Sequence, residues 1–173
     1  MMNTIGLRGL VPCLWFDSQA EEAAELYTAV FPNSRIVSVT RFGKEGFEIH
    51  GRPEGSVMSV DFEINGHPFQ ALNGGPMFKF TEAVSFQVLC DTQEGIDYYW
   101  ERLTEGGDPS AQQCGWLKDK FGVSWQVVPA MLSEWITGPD ARSQRVMAVM
   151  LQMEKKLDIR QLREAYEGLS QAG

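Results

Sequence analysis

Histidine is scarce in this sequence of 173 residues, with two in all, and basic residues are outnumbered, 15 Lys and Arg against 23 Asp and Glu. Each shortage closes off a class of function. His50 and His67 fall in or beside loop-like stretches, and the three cysteines show no Cys-x-x-Cys spacing, so no zinc ligand set is legible. An odd cysteine count without paired spacing (Cys13, Cys90 and Cys114) points to reduced thiols and a cytoplasmic protein, not to a disulfide framework. The net charge of -8 argues against nucleic acid or an anionic membrane as partner, because phosphates are held by clustered Lys and Arg. The one basic cluster, around Lys155 and Lys156, sits beside acidic residues and reads as a solvated helix face. Long apolar runs are missing too: nothing approaches the roughly 20 residues of a membrane span. The opening "MMNTIGLRGLVP" lacks the charged start and apolar stretch of a secretory leader.

What remains is ordinary globular composition, 43% hydrophobic and 22% charged, enough for one domain or two small modules sharing a core. "GLVPCLWF" reads as a strand, followed by "DSQAEEAAELYTAVF", in which Ala23, Leu26, Tyr27, Val30 and Phe31 recur at helical spacing. Ser18 and Glu21 are placed to form a capping box at the start of that helix. "SRIVSVTRF" is a further strand, and "GSVMSVDFEINGHPFQALNGG" alternates through Met58, Val60, Phe62 and Ile64 up to an Asn65-Gly66 hairpin turn. The first half therefore predicts βαβββ.

The second half repeats that order. "AVSFQVLCD" is a strand, and "DTQEGIDYYWERL" places Ile96, Tyr99, Trp100 and Leu103 on one helix face, with Asp91 and Glu94 as a second capping box. "DSQ" at Asp17 returns as "DTQ" at Asp91, and "NGHPFQAL" matches "FGVSWQVV" in the order glycine, aromatic, glutamine, aliphatic. The expected fold is α+β: two modules, about 8–75 and 82–130, each a curved sheet with a helix on one face, enclosing a cleft within a domain of residues 1–130. Residues 131–173 form a helical extension, with helices over "MLSEWI", over 139–156 with Val146, Val149, Met150 and Met153 as a stripe, and over "DIRQLREAYEGL" with an Asp158–Gln161 capping pair.

The stretches "VPCLWFDSQAEEAAELYTAVFPNSRI", "FQALNGGPMFKFTEAVSFQVLCDTQEGIDYYWERL" and "CGWLKDKFGVSWQVVP" resemble the PhnB-like branch of the vicinal oxygen chelate superfamily. That superfamily includes glyoxalases, bleomycin and fosfomycin resistance proteins and ring-cleaving dioxygenases. Many members of the branch carry the label 3-demethylubiquinone-9 3-methyltransferase. The resemblance implies glyoxalase-like paired βαβββ modules, a cleft and a homodimer. In metal-dependent relatives it also implies ligands, chiefly histidine and glutamate, on the first and last strands of each module. Carried over position by position, the last-strand glutamate falls on Gln126, with Gln70 as its partner through the repeat. The first strands contribute Val11 and Ser85, or Leu10 and Val84 if the register shifts by one. Neither register supplies a histidine or a carboxylate, and amides alone make a poor divalent site.

No metal and no cofactor are therefore expected. S-adenosylmethionine enzymes of the usual type need a glycine-rich turn between a strand and a helix, and neither "NGGP" nor "EGGDPS" has that setting. The expected site is a small-molecule cleft lined by Gln70, Gln126, Ser85, Gln87 and Val11, with Cys13, Trp15, Asn73 and Trp116 near its mouth. Amides supply donors and acceptors there, and tryptophan supplies stacking area. The function expected is metal-independent binding of an unknown small ligand. The alternative is an enzyme on the same scaffold, metal-dependent or the methyltransferase of the label.

Overall fold

A computed structural model describes residue 6 and residues 8–169. The outermost ends of the two expected segments, within residues 1–7 and at 170–173, lie outside the described residues or at their margin. The chain divides between Lys79 and Phe80 into two compact units.

The first unit runs β1 (Cys13–Phe16), α1 (Ala20–Val30), β2 (Arg35–Arg41), a short α2 (Phe47–His50), β3 (Val57–Ile64) and β4 (His67–Asn73). Its sheet has the order β1-β4-β3-β2, with β1 parallel to β4 and the other pairs antiparallel. Alternation decides which face is covered: Val60, Phe62 and Ala71 are buried on the same side as Leu14 and Phe16. Against them α1 packs Ala20, Ala23, Ala24, Tyr27 and Val30, and the Tyr27 ring stacks on Phe62 at 6.2 Å. Small alanines let the helix lie close to the sheet, and each large buried side chain contributes about 1.5–3 kcal/mol. The β3–β4 hairpin turns at Asn65 (φ 48) and Gly66 (φ 76), the left-handed pair that a two-residue turn needs.

Two local expectations fail here. Strand β1 starts only at Cys13; Leu10 and Val11 precede it, 85% and 53% exposed. The Ser18–Glu21 capping box does not form, because the start of α1 is capped from afar. Asn73 Oδ1, beside Phe16 in the β1–β4 register, accepts from the Ala20 N–H at 2.9 Å. Asn73 Nδ2 also donates to the Val57 carbonyl at 3.0 Å, so this one buried amide ties a helix to the beginning of β3.

The second unit contains β5 (Phe86–Cys90), α3 (Gln93–Thr104), a 3₁₀ turn (Pro109–Ala111), β6 (Trp116–Lys118) and β7 (Ser124–Pro129). Helices α4 (Leu132–Ile136), α5 (Ala141–Met150) and α6 (Ile159–Glu167) follow. Its sheet has three strands among the described residues, order β5-β7-β6, instead of the expected four. The counterpart of β2 is replaced by the 3₁₀ turn, which Asp108 holds by accepting from Ser110 N at 2.8 Å, and by a single bridge between Gln113 and Trp116. Gly107 fits the close approach there, since a Cβ would run into the Lys118 carbonyl. Thr92, rather than Asp91, caps α3 by accepting from Gly95 N at 3.2 Å.

The C-terminal helices pack within this unit. Cys114 N and Gly115 N donate to the Met153 and Lys155 carbonyls, and Gln93 clasps the segment by donating to Leu157 O and accepting from Ile159 N. The segment gives these carbonyls to residues 114 and 115, so the expected long helix over 139–156 stops at Met150 and Met153 falls outside it. Val146, Leu157 and Leu162 are fully buried, and Asp158 caps α6 by accepting from Gln161 N at 2.9 Å, as its spacing predicts. Among the described residues no helix is long and apolar enough to cross a membrane.

Candidate functional site

With α1 covering one face of the first sheet, the residues of opposite parity form the other face. Register lines four of them up across all four strands: Cys13 beside Gln70, Gln70 beside Asp61, Asp61 beside Ser38. Their side chains are joined. Ser38 Oγ donates to Asp61 Oδ2 at 2.8 Å, Gln70 Nε2 donates to Asp61 Oδ1 at 2.8 Å, and the Cys13 thiol points its donor at Gln70 Oε1 at 3.6 Å. Burial first, and the Asp61 carboxylate second, raise the Cys13 thiol above its ordinary range. It stays protonated near neutrality and is no activated nucleophile.

The second unit carries a counterpart on the face away from Val88 and Val127. Gln87 lies beside Gln126, and Gln126 beside Trp116. Gln126 Oε1 accepts from Gln87 Nε2 at 3.2 Å, and Gln126 Nε2 donates to Ser85 Oγ at 2.8 Å. Val84 is 70% exposed, so the parity of Ser85 and Gln87 is the one that meets Gln126. The strand before Gln126 is set by its turn. Buried Asp119 accepts from the backbone of Phe121 (2.9 Å) and Val123 (3.0 Å) and from the Trp125 indole (2.8 Å), which fixes the alternation that turns Gln126 to the open face.

Six of the nine expected site residues therefore fall into the two rows. Gln70 and Cys13 share the first row; Gln126, Gln87, Ser85 and Trp116 share the second; Val11 is in neither, because β1 begins two residues after it. Trp15 lies on the open face but is engaged: its Nε1 donates to the Gly75 carbonyl at 2.9 Å, its ring meets Phe78 edge-on at 5.0 Å, and Gly74 leaves room for it. Asn73 points to the opposite face as the α1 cap. Ser38 and the central place of Asp61 are not evident from sequence. The signal available is that Asp61 and Glu63 share a strand face; only the β3–β4 register shows that this is the face of Gln70. Glu63 is used differently, in a bidentate ion pair with Arg35 at 2.8 and 3.2 Å.

The donor set does not suit the divalent metal that metal-dependent relatives hold. Gln70 and Gln126 are neutral and already bonded within their rows, the Cys13 thiol is held protonated, and the first row has a single carboxylate. Among the described residues no group of three His, Cys, Asp or Glu side chains is arranged to hold a metal ion. His50, the last residue of α2, is occupied by its neighbours, with Nδ1 accepting from Arg52 N at 2.9 Å, Nε2 against the Glu45 carbonyl at 3.2 Å and its ring on Phe42 at 4.6 Å. His67 is exposed at the start of β4.

Residues 8–128, a span that takes in β1 to β7 except the last residue of β7, match the family model described as 3-demethylubiquinone-9 3-methyltransferase. Among solved structures, the chain is similar to the PhnB protein of Bacillus cereus, at 34% identity and a TM-score of 0.62, covering 71% of this chain and 100% of that one. It is also similar to protein PA1353 of Pseudomonas aeruginosa (20% identity, TM-score 0.54, 70% and 96% covered). The fosfomycin resistance protein FosX of Mesorhizobium loti is a third (17%, 0.52, 75% and 97%). At those identities the last two speak to the fold alone. No curated protein matches the chain.

Proposed function

We propose, from the premise that the chain belongs to the 3-demethylubiquinone-9 3-methyltransferase family within the vicinal oxygen chelate superfamily, that it binds a small polar molecule without a metal. The observation that carries this reading is the matched placement of Gln70 and Gln126. Each lies on the last sheet strand of its unit, beside the parallel first strand, in a hydrogen-bonded row that a ligand's donors and acceptors can join. The family's description does not extend to a cofactor turn in this chain. Gly74 and Gly75 precede no helix and are packed against Trp15, while Gly106 and Gly107 end α3.

A thermal-shift screen of small polar metabolites in the presence of a chelator tests the reading, since a ligand of the folded state raises the midpoint by mass action. The expected result is a hit that keeps its shift in chelator and loses it in Gln70→Leu or Gln126→Leu. A broad panel without a hit, or hits indifferent to both substitutions, would count against it. A second reading, an enzyme on the same scaffold, is favoured by Asp61, a carboxylate set between Gln70 and Ser38. If a ligand found in the screen is converted to product, Asp61→Asn should suppress turnover while leaving binding in place.

A further inference from the structure

The second unit holds a groove of about 490 Å³ whose lining includes Glu82, Ser110, Trp116, Lys118, Ser124 and Leu151, and none of Ser85, Gln87 or Gln126. Ser124 is 1% exposed, and its Oγ is a buried side-chain oxygen with no hydrogen-bond partner. Native proteins rarely leave a buried hydroxyl unmet, so this atom marks a place where a partner belongs. Directly across the β6–β7 register from Ser124 stands Lys118. The Lys118 ammonium is held by Glu82 at 2.5 Å, with the lysine side chain 24% exposed and the glutamate 62% exposed. The cation is the fixed member of the pair and the carboxylate the replaceable one. Trp116 lies two cross-strand pairs along, opposite Gln126, and Leu151, 58% exposed, adds an apolar wall.

From this juxtaposition we infer that the groove is a binding site for a small aromatic carboxylate, adjoining the second polar row at Trp116. The ligand's carboxylate displaces Glu82 as counterion of Lys118 and accepts the Ser124 hydroxyl proton in a hydrogen bond. Its ring lies against Trp116 and Leu151. A charge-assisted hydrogen bond beside a stacking surface gives both orientation and selectivity for the anion. The volume falls in the range of small-molecule sites, roughly 300–1,000 Å³.

Calorimetric titration of the full chain with benzoate, benzamide and inorganic phosphate tests the inference. Benzoate should bind at least about tenfold more tightly than benzamide, which lacks the charge, and than phosphate, which lacks the ring. Glu82→Gln should tighten benzoate about threefold by removing the competing carboxylate, and Lys118→Met should weaken it by about tenfold or more. Ser124→Ala should weaken it about fivefold, the worth of one hydrogen bond, without lowering the melting temperature of the free chain. Equal affinity for benzoate and benzamide, or for benzoate and phosphate, would overturn the inference. So would weaker benzoate binding in Glu82→Gln or unchanged binding in Ser124→Ala.

Discussion

The two units set a first and a last strand side by side in parallel, with a helix after the first, and then solve the same local problems by different means. Phe16 pairs with Asn73 in the first unit, and Cys90 pairs with Pro129 at the corresponding place in the second. Asn73 can reach across to cap α1, and proline has no amide side chain to offer, so α3 is capped locally by Thr92. The hairpins differ in the same way. Asn65 and Gly66 turn the first in left-handed conformations, their N–H groups donating to Ser34 Oγ and the Asn33 carbonyl, whereas the five residues from Asp119 to Val123 are gathered around a buried carboxylate. The polar rows differ too: one is centred on the charge of Asp61, the other is made of neutral amides and a hydroxyl. What the repeat preserves is strand register, and register tolerates a change of residue wherever another contact takes over the lost one.

Breaking these devices should rank them. The largest effect is expected from Asp119→Ala, which strips three donors of a buried charged acceptor and should cost about 4 kcal/mol in denaturant unfolding. Asn73→Ala comes next, at about 2–3 kcal/mol, because it leaves the Ala20 N–H and the Val57 carbonyl without partners. Thr92→Ala, a local cap, should cost about 1 kcal/mol. Equal losses at Asn73 and Thr92 would contradict the contrast between a distant cap and a local one. Gly66→Ala should also cost about 1 kcal/mol, through its left-handed φ of 76° and a Cβ only 3.2 Å from Asn33 Nδ2.

A pH-dependent difference sharpens the comparison at Phe16 and Cys90, which hold corresponding places in the two units. Burial, with a lesser contribution from Asp91, pushes the Cys90 thiol up to about 11 from its ordinary 9.0. The folded state therefore holds the proton that the unfolded chain releases between those values. The resulting stabilisation is full below pH 9 and is lost as pH rises through 11, at no more than about 1.4 kcal/mol per pH unit from this one group. Denaturant midpoints measured from pH 8 to 11 should fall less steeply in Cys90→Ala than in the wild type. Identical slopes would remove Cys90 from the account.

Much of the fold is legible because apolar alternation and helical spacing are local signals. Val60, Phe62 and Ile64, the Asn65-Gly66 turn and the α1 stripe can each be read from a few neighbouring residues. The failures arise where a distant residue decides. Asn73 replaces the Ser18–Glu21 box from 53 residues away, and the carbonyls of Met153 and Lys155 are claimed by residues 114 and 115, which ends a helix that its own spacing would extend. A fourth strand was expected in the second unit because the first has one, yet Gly106, Gly107 and Pro109 supply no alternation to build it. The candidate site divides along the same line. Gln70 and Gln126 are visible through the repeat, and Asp61 becomes part of the row only once β3 and β4 are in register.

The central proposal is that Gln70 and Gln126 bind a ligand without a metal, at positions where the resemblance to metal-dependent relatives implies metal ligands. Elemental analysis of the chain purified without chelators, before and after incubation with manganese, nickel or zinc and removal of free ion, tests it most directly. The account predicts metal well below one ion per chain in every case, unchanged in Gln70→Leu and Gln126→Leu. Near-stoichiometric metal in the wild type that disappears in either substitution would contradict it.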